Sequence, residues 1–243
     1  MKKKVITGVI TLAAIIFLGT GMIQAQEQAI RPISIRQSMP DFTLPVFQGG
    51  EFHLENMKGK NVILIFPRGL AGKDHWCHIC NYQYAEWVEA EKKHQIRKTL
   101  NTEIVFIFPY GKEMLDGWMD KFTDQLTDIE NYKNPPEPEK LDERGKSRLA
   151  RMQAAFPKSY TFEKGKIPMP FPILLDAERK LSSGLGLFTM EWSGSKIDQN
   201  IPSIFILDKE GKLQFKYISQ NTFDRPGVDY LLKFVKLLNS GSF

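Results

Sequence analysis

The chain has 243 residues, of which 42% are hydrophobic and 25% charged, with a formal net charge of +5 and two cysteines. Such a length suits one ordinary domain with decoration, and a chain of this size needs no disulfide staple. It shows no long basic run with interleaved aromatics, which argues against nucleic acid as a partner, and it has no internal repeat or low-complexity tract.

Residues 1–25 carry a basic head (Lys2, Lys3, Lys4) and an apolar centre over 5–23, then turn polar at Gln24. This pattern predicts a secretory signal peptide cleaved after Ala25. An uncleaved membrane anchor is the alternative, although Gly8, Gly19 and Gly21 interrupt the apolar run. Cleavage leaves about 218 residues with a net charge near +2. It also places the mature chain in a secreted, periplasmic or otherwise extracytoplasmic compartment, where disulfides persist. The organisation expected is a signal peptide (1–25), a lead-in (26–38), and one domain (39–243) with an insertion over about 130–167.

The alternation Phe42/Leu44/Val46 and Phe52/Leu54, split by Gly49-Gly50, predicts a hairpin. The apolar run Val62-Ile63-Leu64-Ile65-Phe66, closed by Pro67 and Gly69, predicts a buried strand. A loop then leads to Trp76-Cys77-His78-Ile79-Cys80. Beyond Cys80 no Pro or Gly occurs until past Leu100, as a helix requires. Both cysteines therefore sit where a strand hands over to a helix, three positions apart. The first turn of a helix stabilises an anion, so the Cys77 thiol is expected to be acidic and to attack, with Cys80 resolving. His78 between them, and His75, Lys73 and Arg68 upstream, are cations that favour the thiolate if they fold back toward it.

Other uses of the pair stand beside redox chemistry. A structural disulfide closing so short a loop stabilises little. A metal module would draw on Cys77, Cys80, His75 and His78, but a structural zinc site usually brings a second ligand pair, which is missing here. Haem attachment needs His directly after the second cysteine, where this chain has Asn81. The redox reading calls for no metal and no cofactor.

Further along, 103–109 predicts a strand and 112–129 a helix. The insertion holds Asn134-Pro135-Pro136 and a charged helix over 140–156. Leu141, Leu149, Met152 and Phe156 fall on one face of that helix, as for a surface excursion packed on the body by one stripe or for a lid. The stretch 182–199 supplies Leu185, Leu187, Phe188, Met190 and Trp192, either as core or as an apolar groove. A hairpin (203–208 and 213–218) and a helix over 227–238, packing through Leu231, Leu232, Val235 and Leu238, close the chain.

Four stretches in this order carry a family resemblance. They are PDFTLP…GGEFHLENMKGKNVILIF, WCHIC, PILLD at 172–176, and IPSIFILDKEGK at 201–212. Together the set resembles the redoxins of the thioredoxin superfamily: peroxiredoxins of the alkyl hydroperoxide reductase and thiol-specific antioxidant type, and exported thioredoxin-like disulfide oxidoreductases. The resemblance implies an α/β thioredoxin-like fold, a central mixed sheet flanked by helices, with an N-terminal hairpin and a helical insertion. It also implies a Cys77–Cys80 redox disulfide and a cis Pro202 facing it, so that backbone groups of Ile201 are free to pair with an extended substrate.

Departures from the peroxiredoxin pattern bear on the activity. The hydroxyl three residues before the peroxidatic cysteine is replaced by Asp74. The position where many peroxiredoxins place an arginine holds Pro202 or Ser203. Trp76 and the expected cis proline belong to the disulfide-exchange branch. Pro67-Arg68-Gly69 before Trp-Cys is similar to peroxiredoxin-like proteins, where Arg68 would assist a peroxide; a solvated loop arginine is the plainer reading. The expectation is an exported thiol–disulfide oxidoreductase that exchanges disulfides with exported proteins, served by an extracytoplasmic electron donor. A thiol peroxidase acting on hydroperoxides is the alternative.

Overall fold

The computed structural model describes residues 30–241. The expected signal peptide lies outside the described residues, as does the start of the lead-in. A small hairpin opens the domain: β1 (Thr43–Pro45) pairs antiparallel with β2 (Glu51–His53) across the Gly49-Gly50 turn. Both glycines hold positive φ (108° and 78°), which such a turn needs.

The main sheet is built on β3 (Asn61–Phe66), in which every residue is buried. β6 (Thr102–Phe108) and then β7 (Ile173–Leu175) extend it in parallel. β10 (Ser203–Leu207) and β11 (Leu213–Ile218) extend it antiparallel on the other side, giving the order β11-β10-β3-β6-β7. Apolar residues occur without alternation on β3 because both of its faces are covered. Ile63 and Ile65 enter one core with Phe106, Trp87, Trp118 and Val235; Val62, Leu64 and Phe66 enter a second with Phe42, Phe52, Phe205 and Leu187.

The first core is closed by α1 (His78–His94), α3 (Lys112–Lys133) and α6 (Val228–Ser240). The helix after Cys80 ends earlier than the absence of Pro and Gly predicts. Gln95 turns left-handed at φ 47°, and a separate turn, α2 (Ile96–Thr99), seats Ile96 in the core. On the other face α5 (Lys180–Gly184) is capped by buried Asp176, whose carboxylate accepts from the Ser182 N–H at 2.7 Å.

The insertion is a surface excursion held by its ends. α3 runs four residues past its expected end, and Lys133 then bonds the Lys158 carbonyl at 2.8 Å. α4 (Glu143–Ala155) has no buried residue and is capped by Asp142, which accepts from the Gly145 N–H at 2.7 Å. Phe156 is buried against the Tyr82 ring at 4.9 Å, while Leu141, Leu149 and Met152 are half-buried, as the stripe predicts.

Two small hairpins were not legible in the sequence. β4 (Leu70–Gly72) pairs with β5 (His75–Trp76), and β8 (Phe188–Thr189) pairs with β9 (Gln199–Asn200). The first occupies the stretch expected to be a loop, with Asp74 exposed in its turn at φ 55°.

Candidate active site

Cys77 is the N-cap of α1, and its sulfur accepts from the Cys80 N–H at 3.4 Å. Both cysteines are free thiols and both are buried, at 4% and 3% exposure. The β4–β5 hairpin delivers them. Gly69, at φ 80°, accepts the Cys77 N–H at 2.9 Å through its carbonyl, and its own N–H points to the Cys80 sulfur. Only glycine fits there, because a Cβ would fall against the Tyr110 ring. Tyr110 in turn accepts the Leu70 N–H at 3.0 Å and donates to the Asp198 carbonyl at 2.7 Å.

A buried polar chain fixes the residue just before Cys77. Trp118 donates to Asn81 at 2.6 Å, Asn81 donates to Gln125 at 2.6 Å, and Gln125 donates to the Trp76 carbonyl at 2.7 Å. The chain ties α1 and α3 to the strand end that carries the thiol. Trp76 itself is core, edge-on to Tyr110 with ring centroids 5.6 Å apart.

The charge at the sulfur comes from a residue the sequence did not mark. Arg225, in the loop between β11 and α6, donates from Nη2 to the Cys77 sulfur at 3.7 Å. Its Nε and Nη1 are shut off from solvent and have no partner among the described residues. The loop is shaped by Asp224, whose carboxylate accepts the Gln220 and Asn221 N–H groups at 2.6 and 3.0 Å.

The two thiols are driven apart in acidity. Burial by itself pushes the Cys77 thiol up. A hydrogen bond from the Cys80 thiol, the charge and hydrogen bond of Arg225 and the Cys80 N–H outweigh it, and together they hold Cys77 well below the ordinary thiol value. Burial pushes Cys80 up as well, and donating its proton to Cys77 keeps it there. The result is an acidified buried thiol beside a much less acidic one a helical turn away.

The other predicted residues fall into three groups. Pro202 corrects the expectation of a cis bond. No described peptide bond is cis, and Pro202 is a buried trans proline leading into β10. The backbone around it is already paired: the Ile201 N–H donates to the Leu187 carbonyl at 2.7 Å, the Ser203 hydroxyl to the Ile201 carbonyl at 2.8 Å, and the Ser219 N–H to the Pro202 carbonyl at 2.9 Å. Ile201 therefore has no free N–H to offer an extended substrate. Arg68 corrects the expectation of a solvated arginine. It is 5% exposed, donates to Gln199 at 2.6 Å and to the Trp192 carbonyl at 3.1 Å, and stacks over the Trp192 ring. This uses Trp192 structurally, puts Leu185 and Leu187 in the core and leaves Met190 in solvent, so the stretch forms no apolar groove. His78 turns to Asp128 at 3.2 Å, with its ring 4.9 Å from that of His75. Among the described residues no group of three or more His, Cys, Asp or Glu side chains is placed to hold a metal ion.

Two thiols of unequal acidity at a helix start, on a mixed sheet flanked by helices, fit a thiol-based redox protein of the thioredoxin-like class. The AhpC/TSA family model matches residues 35–216, and the chain belongs to that family of thiol oxidoreductases. Solved peroxiredoxins share its fold. A cysteine-to-serine mutant of peroxiredoxin 6 from Arenicola marina is 11% identical, with a TM-score of 0.56 over 86% of this chain and 75% of that one. Reduced 2-Cys peroxiredoxin from Plasmodium vivax is 14% identical, with a TM-score of 0.51 over 87% and 84%. AhpC from Enterococcus faecalis is 14% identical, with a TM-score of 0.52 over 86% and 93%. No curated protein sequence matches the chain.

Proposed function

We propose that the protein reduces hydroperoxides at Cys77. The observation that carries this reading is Arg225: a cation on the buried thiolate with two further N–H groups unpartnered. Those donors suit the oxygens of a peroxide, whose leaving oxygen gains negative charge as the O–O bond breaks. The thiolate attacks the distal oxygen, giving Cys77 sulfenic acid and an alkoxide or hydroxide that takes up a proton. The Cys80 thiol then attacks the sulfenic sulfur. A Cys77–Cys80 disulfide forms, and the Cys80 proton leaves with the displaced hydroxide as water. A dithiol donor returns both sulfurs to the reduced state.

Burial favours this order of readings. A sulfur on a residue that is 4% exposed is more open to a small peroxide than to the disulfide of a folded protein. Disulfide exchange with other proteins remains the second reading, supported by the acidic attacking thiol and the protonated resolving thiol that such exchange also needs. The basic and apolar stretch at the N-terminus supports an extracytoplasmic site of action, with an electron donor on the same side of the membrane. Sequencing the N-terminus of the protein from its native host tests that part; a mature start at Gln26 is expected, and an intact Met1 in the cytoplasmic fraction refutes it.

Stopped-flow oxidation of the reduced protein by hydrogen peroxide, followed by tryptophan fluorescence, decides between the two chemistries. Cys77 is expected to react orders of magnitude faster than a free thiol, with no reaction in Cys77→Ser. Reaction no faster than a free thiol, together with fast exchange with protein disulfides, would reverse the order.

A further inference from the structure

The insertion helix α4 carries Arg144, Lys146, Arg148 and Arg151 against a single acid, Glu143. Glu143 is taken by Lys146 at 3.0 Å, and the cap carboxylate of Asp142 by the Gly145 N–H at 2.7 Å. Arg144, Arg148 and Arg151 are spaced four and then three apart, so they share one helix face. All three are exposed, and among the described residues none lies within ion-pair range of a carboxylate. Together with Met152 they line a cleft of about 680 Å³, whose lining also includes Phe223, 43% exposed. Phe223 ties this cleft to the thiol pair. Its ring lies 6.4 Å from that of Phe156, the residue that follows α4. Two positions on in the same loop, Arg225 donates to the Cys77 sulfur at 3.7 Å.

A cysteine pair that turns over must regain two electrons, and neither cysteine here is more than 4% exposed. A reductant therefore needs a point of hold beside the site. Arginines around an exposed aromatic ring are the composition that protein interfaces favour, and forked guanidinium groups match carboxylates. We propose that the arginine face of α4 docks the acidic surface of a dithiol protein, which reduces the Cys77–Cys80 disulfide. Charge complementarity selects the partner: the unmatched cations call for carboxylates on the docking face. The inference rests on the Cys77–Cys80 disulfide, which both readings of function form, and on neither substrate. A thiolate of the donor attacks one sulfur of the pair and displaces the other, which takes up a proton. The donor's second thiol loses its proton and attacks the mixed disulfide, releasing the remaining sulfur as a thiolate. The donor leaves as a disulfide, and this chain holds two reduced cysteines.

The test uses the full chain oxidised with diamide, with loss of both free thiols checked by titration. Two synthetic dithiol peptides, identical except for a tail of glutamates or of glutamines, serve as reductants, and tryptophan fluorescence follows the reaction. The glutamate peptide is expected to act roughly three- to tenfold faster, the range that two solvent-exposed ion pairs supply. That ratio falls with added salt and drops to one or below in an Arg148→Glu/Arg151→Glu variant. Equal rates with the wild type, or an unchanged ratio in the variant, overturn the inference. Sedimentation of the full chain alone examines the rival occupant. A dimer that salt or the two glutamates dissociate would assign the face to a second copy and overturn the donor. If diamide leaves both thiols titratable, the disulfide falls and the inference with it. If the disulfide forms and the ratio is one, the inference falls alone, whatever the rate with hydrogen peroxide.

Discussion

At the scale of single residues, the reactivity of Cys77 rests on a charge 148 positions away in the chain. Replacing Arg225 by Met removes the cation and a donor, so the Cys77 thiol rises toward its ordinary value. The expected cost in peroxide rate is about 10²–10³, as for loss of one preorganised donor at a developing anion. Arg225→Lys restores charge without the forked donor set and should recover part of it. Ultraviolet titration of the thiolate reads the first effect and stopped flow the second. The same shift couples to stability. Because Cys77 is more acidic folded than unfolded, its contribution is full above about pH 8.5, the unfolded thiol value. It declines as the pH falls and vanishes below the folded value. Cys80 works with the opposite sign, and its contribution is lost as pH rises. Urea midpoints of reduced Cys80→Ser should therefore fall from pH 8.5 downward, with the slope absent from the double cysteine variant. Nothing in the sequence around Phe223-Asp224-Arg225-Pro226 marks it as part of a site. The only cue available was physical: a thiolate buried at the end of an apolar strand needs a counter-charge from somewhere.

At the scale of elements, the site is the junction of β3, the β4–β5 hairpin and the start of α1, and it is braced from α3. Gln125→Leu leaves the Trp76 carbonyl and one Asn81 donor unpaired inside the protein. We expect a loss of about 2 kcal/mol in chemical unfolding, the cost of buried polar groups left unsatisfied. A slower Cys77 should accompany it, since the strand end that holds the thiol is released. Asp224→Ala acts on the other side. It removes the acceptor for two backbone N–H groups and loosens the loop that aims Arg225. Stability should drop by about 1 kcal/mol, and the peroxide rate should fall while Asp224→Asn retains most of it. Retention of full rate in Asp224→Ala would show that Arg225 is held by other means. The hairpin that carries these effects was hidden because Leu70 to Trp76 holds two short strands around a tight turn, too brief to show a period. The hairpin β8–β9 was hidden for the same reason.

At the scale of the whole molecule, the two cores on either side of the sheet keep both sulfurs out of solvent, and size becomes the filter on what reaches them. A bulky aromatic disulfide reagent should modify Cys77 in the folded reduced protein far more slowly than in the unfolded chain, while hydrogen peroxide shows the reverse order. Fast modification by the bulky reagent would return weight to disulfide exchange with proteins. Reduction of the Cys77–Cys80 disulfide by a protein donor then requires local opening. Hydrogen exchange over 69–82 and 220–227 should rise in the oxidised form.

Local sequence is enough to set the sheet and the place of the thiols. Continuous apolar strands at 62–66 and 104–108, the Gly-Gly hairpin and the helix after Cys80 all follow from local patterns of burial, turn chemistry and absent breakers. The attacking role proposed for Cys77 also rests on a local feature, because the helix start is part of the chain next to it. Tertiary structure decided the rest. Arg225 meets the Cys77 sulfur, and Gln125 the Trp76 carbonyl before it, only after distant segments pack, and no periodicity records which polar side chain will face a given sulfur. Pro202 failed for the same reason. Whether the backbone beside it is free depends on Leu187 and Ser219, which other strands and loops bring to it.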